Sequence, residues 1–224
     1  EKVVFQSVAD FKAVMSLLKE NSIKAWVNCS RRMFLIFREL KKRTVNAPQV
    51  SLTVEGNHWG LGCNTIHMLD LLAFLTEQTK FEVDVSNLDR QVYETKRKGF
   101  IELGGKLRAE SQRGDILQLV DRRNHEMPLQ MLIQFDGVEI KVDQIVGKSY
   151  EYPSGRREEA VCKTFQVPLQ SVLTNIQAEE ILLTGSSQLT TLDESYLLHK
   201  PMLEFFNRHL SSINNKQISI CPIT

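Results

Sequence analysis

Cys63, His67 and Asp70 recur at spacings of four and three residues within GNHWGLGCNTIHMLD, the stretch from Gly56 to Asp70. Side chains so spaced on an α-helix share one face, because each residue turns the chain by about 100°. Ile66, Leu69, Leu72 and Ala73 fall on another face, so a row of reactive groups runs beside an apolar stripe. An imidazole with a carboxylate close by exchanges protons near neutral pH, which makes His67 a candidate acid–base group if its face borders a pocket. The plainer reading is a helix packed through its leucines, with His67 and Asp70 hydrogen-bonded at the rim. A glycine-broken loop carrying Asn57, His58 and Trp59 feeds this helix.

Other chemistries fit the same residues less well. Cys63 and His67 lie one helical turn apart, but on a regular helix their side chains run parallel rather than converging as a nucleophile and its base must. His58, His67 and Asp70 are ligand types that suit zinc or iron, yet a handful of histidines is a thin basis, and no metal is expected. No G-x-G-x-x-G or G-x-x-x-x-G-K-[ST] is present, so no loop is built to cradle a dinucleotide or nucleotide phosphate.

Lysine and arginine total 28 against 27 acidic residues, so no global field recruits nucleic acid or an anionic membrane. The basic groups Arg31, Arg32, Arg38, Lys41, Lys42 and Arg43 read as a solvated helix face and as cations at a helix C-terminus. The longest apolar run, Met33 to Phe37, is far too short to span a bilayer. Cysteines at 29, 63, 162 and 221 form no C-x-x-C pair, which argues for a reducing compartment and a cytoplasmic protein.

The elements that must position His67 are legible from pattern. Ser7 and Asp10 make a capping pair for a helix reaching Asn21, and Ile23, Ala25 and Val27 alternate as a short strand. Ser30 is placed to cap a helix through Lys42, and Val50, Leu52 and Val54 give the strand that delivers the chain to Gly56. From Phe81 onward the pattern is mostly β. Met131, Ile133 and Phe135 face Val138, Ile140 and Val142 across Asp136-Gly137, the favoured chemistry of a two-residue hairpin turn. Further strands are expected at 100–107, 115–122, 147–152 and 160–165, with a turn at Tyr152-Pro153-Ser154-Gly155. The end is helical, from Leu169 to Thr184 and from Thr191 toward Leu210, with Pro201 expected to kink or divide the second helix. The fold class is α+β: a large open, mostly antiparallel or mixed sheet with helices on one face, leaving the other face as a candidate oligomer interface.

The order Glu1-Lys2, helix, strand, Arg31-Arg32, helix, strand, and then a glycine-containing segment with His67-x-x-Asp70 resembles the second half of oxidoreductases of the glucose-fructose oxidoreductase and inositol dehydrogenase family (Gfo/Idh/MocA). The resemblance is firm from Glu1 to Leu75 and architectural afterwards. It implies that residues 1–30 are the last helix and strand of a truncated Rossmann domain, and that 31–224 form a substrate-binding and oligomerisation domain. It implies NAD or NADP in the full-length protein with none bound to this chain, and a sugar or nucleotide-sugar substrate. It also implies a homodimer or tetramer through the open sheet. Lys2 matches the lysine of the family's E-K-P motif, which reaches substrate and nicotinamide, and His67 the pocket histidine that gives or takes a proton. Asp70 would support the helix or orient the imidazole. Asn57, His58, Trp59 and Asn64 would offer sugar contacts, and Arg31 or Arg32 would suit a diphosphate. Two positions depart from the pattern: Val3 stands where proline is usual, and Cys63 where many members carry an aspartate. The alternative they keep open is a non-catalytic sugar-binding or assembly domain with a degenerate site.

Overall fold

Ser7 opens the first helix, α1 (Val8–Glu20), by accepting the Asp10 N–H at 3.0 Å and donating its hydroxyl to the Asp10 carboxylate at 2.7 Å. These and all following contacts belong to a computed structural model that describes residues 3–123, 126–153, 156 and 158–224. β1 (Trp26–Val27) follows, then one 3-10 turn at Ser30–Met33 and α2 (Leu35–Thr44). The single helix expected from Ser30 to Lys42 is thus broken at Phe34, whose backbone is extended. Ser30 caps nothing; its hydroxyl donates to Gln170 at 3.4 Å. The break buries Phe34 and Phe37 together, their rings 6.0 Å apart.

β2 (Val50–Gly56) leads through the glycine loop into α3 (Leu61–Thr76). Ten further strands and two helices follow among the described residues. The strands before the last helices are β3 (Phe81–Asp84), β4 (Tyr93–Glu94), β5 (Ile101–Glu102), β6 (Gly105–Ser111), β7 (Ile116–Asp121), β8 (Gln130–Phe135), β9 (Val138–Asp143), β10 (Lys148–Tyr152) and β11 (Val161–Thr164). The strand expected over 100–107 is split, because the chain turns at Gly105 in a conformation (φ 94°) and a space that admit no side chain: a Cβ would sit 2.6 Å from the Asn87 carbonyl. Asp136 and Gly137 join β8 to β9 with both φ positive, 47° and 74°, as a type I′ turn demands. The turn expected at Tyr152-Pro153-Ser154-Gly155 includes Ser154 and Gly155, which lie outside the described residues.

α4 (Gln170–Thr184) ends on left-handed Gly185, and β12 (Thr190–Thr191) runs into α5 (Leu192–Asn214), capped where Thr191 accepts the Glu194 N–H. Pro201 does not divide α5. Leu198, His199, Met202 and Leu203 are buried on either side of it, and that packing outweighs the roughly 3 kcal/mol a proline costs a helix interior.

Eight strands form one sheet in the order β11-β10-β9-β8-β2-β7-β6-β3, antiparallel except for the parallel pair β2–β7. Val50, Leu52 and Val54 of β2, with Leu117, Leu119, Met131 and Ile133 of its neighbours, point to the helix-covered face and are buried. The opposite face carries Ser51, Thr53, Arg108, Gln118, Gln134 and Lys141, all exposed or half-buried. α3 lies against the covered face and is buried on nearly every side, leaving only Cys63, Asn64, His67 and Phe74 outside the core. Its apolar surface is therefore far wider than the single stripe read from sequence, and His67 occupies a narrow window. A second, smaller core joins the ends of the chain: Phe11, Val27 and Cys29 pack with Leu192, and β1 pairs antiparallel with β12. No helix among the described residues is long and apolar enough to cross a membrane.

Candidate functional site

The loop before α3 is anchored by its own candidate residues. The Trp59 indole N–H donates to the Val120 carbonyl at 2.9 Å, and the His58 backbone N–H donates to Asp121 at 2.8 Å. His58 adopts a left-handed conformation (φ 49°), and its Nδ1 accepts from Arg123 at 2.9 Å. Arg123 also pairs with Asp121 at 3.2 Å and lies over the Tyr93 ring. Burial lifts the Asp121 carboxyl above its ordinary value, against the pull of Arg123. The Asn57 side-chain oxygen is buried without a partner.

Gly60 stands at the N-cap of α3 and has no side chain to offer. The buried Glu102 carboxylate of β5 supplies the cap instead, accepting from the Gly62 and Cys63 N–H groups and from its neighbour Leu103. Position 62 must be glycine for this, since a Cβ would come 2.6 Å from the Glu102 Oε1. The positive end of α3 is thereby satisfied by a resident anion.

One turn further along α3, Asn64 and His67 line a cleft of about 500 Å³ with residues from three other segments. Asn28, Ser30, Arg31 and Phe34 come from the turn before α2, Gln144 from the β9–β10 turn, and Gln170 and Thr174 from α4. Most of the polar groups are oriented. Asn64 donates its amide N–H to the Trp59 and Gly60 carbonyls, at 2.8 and 3.0 Å, which leaves its side-chain oxygen for the cleft. Gln177 donates to the Asn28 oxygen at 3.1 Å, leaving the Asn28 amide N–H groups. Arg31 donates through Nε to Gln144 at 3.1 Å, and the other end of that amide donates to the Met131 sulfur at 3.4 Å.

Arg31 and Arg32, adjacent in sequence, go to different work. Arg32 is buried, bonded to Asp70 through Nε and Nη2 at 2.8 Å each and to Glu194 at 2.8 Å. Burial pushes the Asp70 carboxyl up to about 6 even though Arg32 pulls the other way. Burial works against the Arg32 charge too, but Asp70 and Glu194 prevail and raise its pKa. Both Asp70 oxygens thus face a guanidinium, so this carboxylate holds α3 to the 3-10 turn and to α5. Arg32 has no charge to spare for a ligand.

The structure gathers Arg31, Asn64 and His67 into one cleft and sets Asn57, His58 and Trp59 apart, beside the ends of β2 and β7. Cys63 sits between, its thiol donating to the Gly60 carbonyl at 3.4 Å. Lys2 lies outside the described residues. Gln144, Gln170 and Thr174 were not singled out from sequence, because amides and hydroxyls in distant segments carry no pattern. Asn28 and Ser30 had a weak signal in their nearness to Arg31. Among the described residues, no group of three or more His, Cys, Asp or Glu is placed to hold a metal ion.

No family model matches this sequence, and no curated protein does. Solved structures do match. A dehydrogenase (MviM) from Clostridium difficile aligns with a TM-score of 0.65 at 13% identity, over 92% of this chain and 69% of its own. The UDP-N-acetylglucosamine 3-dehydrogenase GnnA from Acidithiobacillus ferrooxidans gives 0.62 at 12%, over 96% and 67%. A super-repressor mutant of Gal80p from Saccharomyces cerevisiae gives 0.63 at 10%, over 95% and 69%. At such identities the likeness is one of fold. These structural neighbours are Gfo/Idh/MocA-type proteins, and the chain has the α+β fold of the C-terminal domain of that family's oxidoreductases.

Proposed function

We propose that this chain is the substrate-binding half of an NAD(P)-dependent oxidoreductase acting on a sugar or nucleotide sugar. The observation that carries the reading is the convergence of His67, Asn64 and Arg31, from sequence-distant elements, in one cleft rich in amides and hydroxyls. His67 exchanges the proton of the reacting hydroxyl, Asn64 accepts a hydrogen bond from the sugar, and Lys2 positions the same hydroxyl. His58 and Trp59 hold the loop before α3 to Asp121 and Val120, outside the cleft. The N-termini of α3 and α1 do not suit a dinucleotide's pyrophosphate, since Glu102 fills that of α3, and Ser7 with Asp10 that of α1. In this reading the cofactor is held by residues outside the chain, which alone is inactive. Residues 1–30 are then the last part of the dinucleotide-binding domain. The remainder of that domain packs into the groove of about 850 Å³ lined by Met15, Ile23, Trp26 and Tyr196. Copies associate through the polar open face of the sheet.

A second reading is a non-catalytic sugar-binding or assembly domain. Cys63 favours it, because a thiol hydrogen-bonds weakly where a carboxylate would assist the histidine. A repressor protein with the same fold also shows that this architecture does not by itself mean catalysis.

Titration of the 224-residue chain with hexoses and UDP-hexoses tests the site. His67→Ala is expected to weaken sugar binding by roughly tenfold while thermal unfolding stays within about 3 °C of the parent. Unchanged affinity in a folded His67→Ala protein would refute the assignment of His67 to a binding cleft.

A further inference from the structure

The cleft beside His67 has an uneven electrostatic character. Of the nine described residues that line it, one is a cation and none is acidic. Arg31 uses only Nε within the protein, donating to Gln144, and Gln144 is itself fixed by its second contact to the Met131 sulfur. The guanidinium is thus oriented while its two terminal nitrogens make no hydrogen bond to the described residues. Burial presses the Arg31 pKa down, with Cys29 and Asp70 opposing. The side chain still carries its charge, so the cleft holds a partly desolvated cation with no salt bridge to a described residue, the Asp70 carboxylate that acts on it being bonded to Arg32. The amide N–H groups of Asn28, three residues earlier, add donors on the same wall, whereas the Asn64 oxygen and the His67 imidazole lie on α3.

We infer that the sugar taken by this cleft carries a carboxylate, as a uronic or aldonic acid does, clamped by the terminal nitrogens of Arg31 with Asn28 beside it. A planar guanidinium with both outer nitrogens free presents the fork that a carboxylate accepts in two parallel bonds. A single cation balances one negative charge. A diphosphate or a phosphate dianion would leave charge uncompensated, and the second arginine that could have met it is spent on Asp70 and Glu194. The carboxylate end then lies at Arg31, and the hydroxyl end of the same molecule faces Asn64 and His67.

The inference rests on the cleft being a sugar site, and the test separates the two. The full chain is titrated with D-glucuronate, D-glucose and D-glucose 6-phosphate, following the side-chain N–H resonances of Arg31, Gln144 and Gln170 by NMR. Glucuronate is expected to bind at least about tenfold tighter than glucose, and no weaker than glucose 6-phosphate. Arg31→Gln should cost glucuronate about tenfold more than it costs glucose, which removes the preference. Arg31→Lys, which keeps the charge and loses the fork, should fall between. Gln144→Ala, which frees the guanidinium without touching its charge, should reduce the preference by about threefold. Equal binding of glucose and glucuronate, or an Arg31→Gln variant that loses both alike, overturns the carboxylate clamp and leaves the sugar site standing. Tighter binding of glucose 6-phosphate overturns the carboxylate in favour of a phosphate ester. Failure of all three sugars to bind overturns the clamp and the sugar site together.

Discussion

Replacing Asp70 with asparagine tests which force governs the ion network under α3. The carboxyl is wholly buried, and burial raises its pKa to about 6 against the attraction of Arg32. In an unfolded chain the same group titrates near 3.9. Between those two values the folded protein holds a proton that the unfolded chain has released. Stability contributed by this group is therefore full below about pH 4, falls as pH rises toward 6, and is level beyond. Two pH units at 1.36 kcal/mol each make the loss about 3 kcal/mol. Asparagine has the same shape and does not titrate, so the stability of the parent minus that of Asp70→Asn isolates this one group from every other carboxylate. Urea unfolding of both proteins at steps from pH 4 to 7 is expected to show the difference shifting toward the variant by about 3 kcal/mol. Removing one partner of a buried pair costs about 3–5 kcal/mol in itself, which a domain of ordinary stability survives. The offset between the curves is thus a separate quantity from their slope. A flat difference, or one that grows in favour of the parent as pH rises, would refute the argument. It would mean that Arg32 outweighs burial and holds the Asp70 carboxyl at or below its ordinary value.

The cap on α3 gives a non-additive pair. Gly62→Ala should cost about 1–3 kcal/mol by driving a methyl group toward the Glu102 carboxylate, and distinctly less in a Glu102→Ala background where the clash is gone; equal costs in both backgrounds, read from urea midpoints, would disprove the close approach. Trp59→Phe removes the indole donor to the Val120 carbonyl and should lower stability by about 1 kcal/mol with sugar affinity at the Arg31 cleft unchanged, so a matching loss of affinity would place Trp59 in the site after all.

What sequence made legible follows the range of the forces involved. The Ser7–Asp10 cap, the Thr191–Glu194 cap and the Asp136-Gly137 turn each close within four residues, and each forms as the pattern requires. The parallel pairing of β2 with β7, separated by some sixty residues, leaves no mark in either strand's alternation. The break at Phe34 was missed for the same reason: the gain comes from burying Phe34 with Phe37 and Arg32 with Asp70, neither of which local propensity records. In the site, His67 was legible from the helical period, and Asn64 only as a sugar contact that the family resemblance implies. Arg31 was legible as a charge, but its separation from Arg32 was not, since only Asp70 and Glu194 decide which of the two is consumed. Asn57, His58 and Trp59 sit next to the site in sequence, and it took the Val120 carbonyl and Asp121 to pull them to the other side of the helix start.

The same contacts account for the geometry of the cleft. With a glycine at its N-cap and no acidic residue in its first turn, α3 would begin poorly on its own. Glu102 caps it from β5, and Arg32 ties its middle to α5 through Asp70 and Glu194. None of these three carboxylates is among the residues that line the cleft, so they serve to hold the helix rather than to touch a ligand. The direction of His67 therefore depends on these two anchors. In the proposed reading, the geometry of the cleft and the assistance given to His67 therefore rest on different residues.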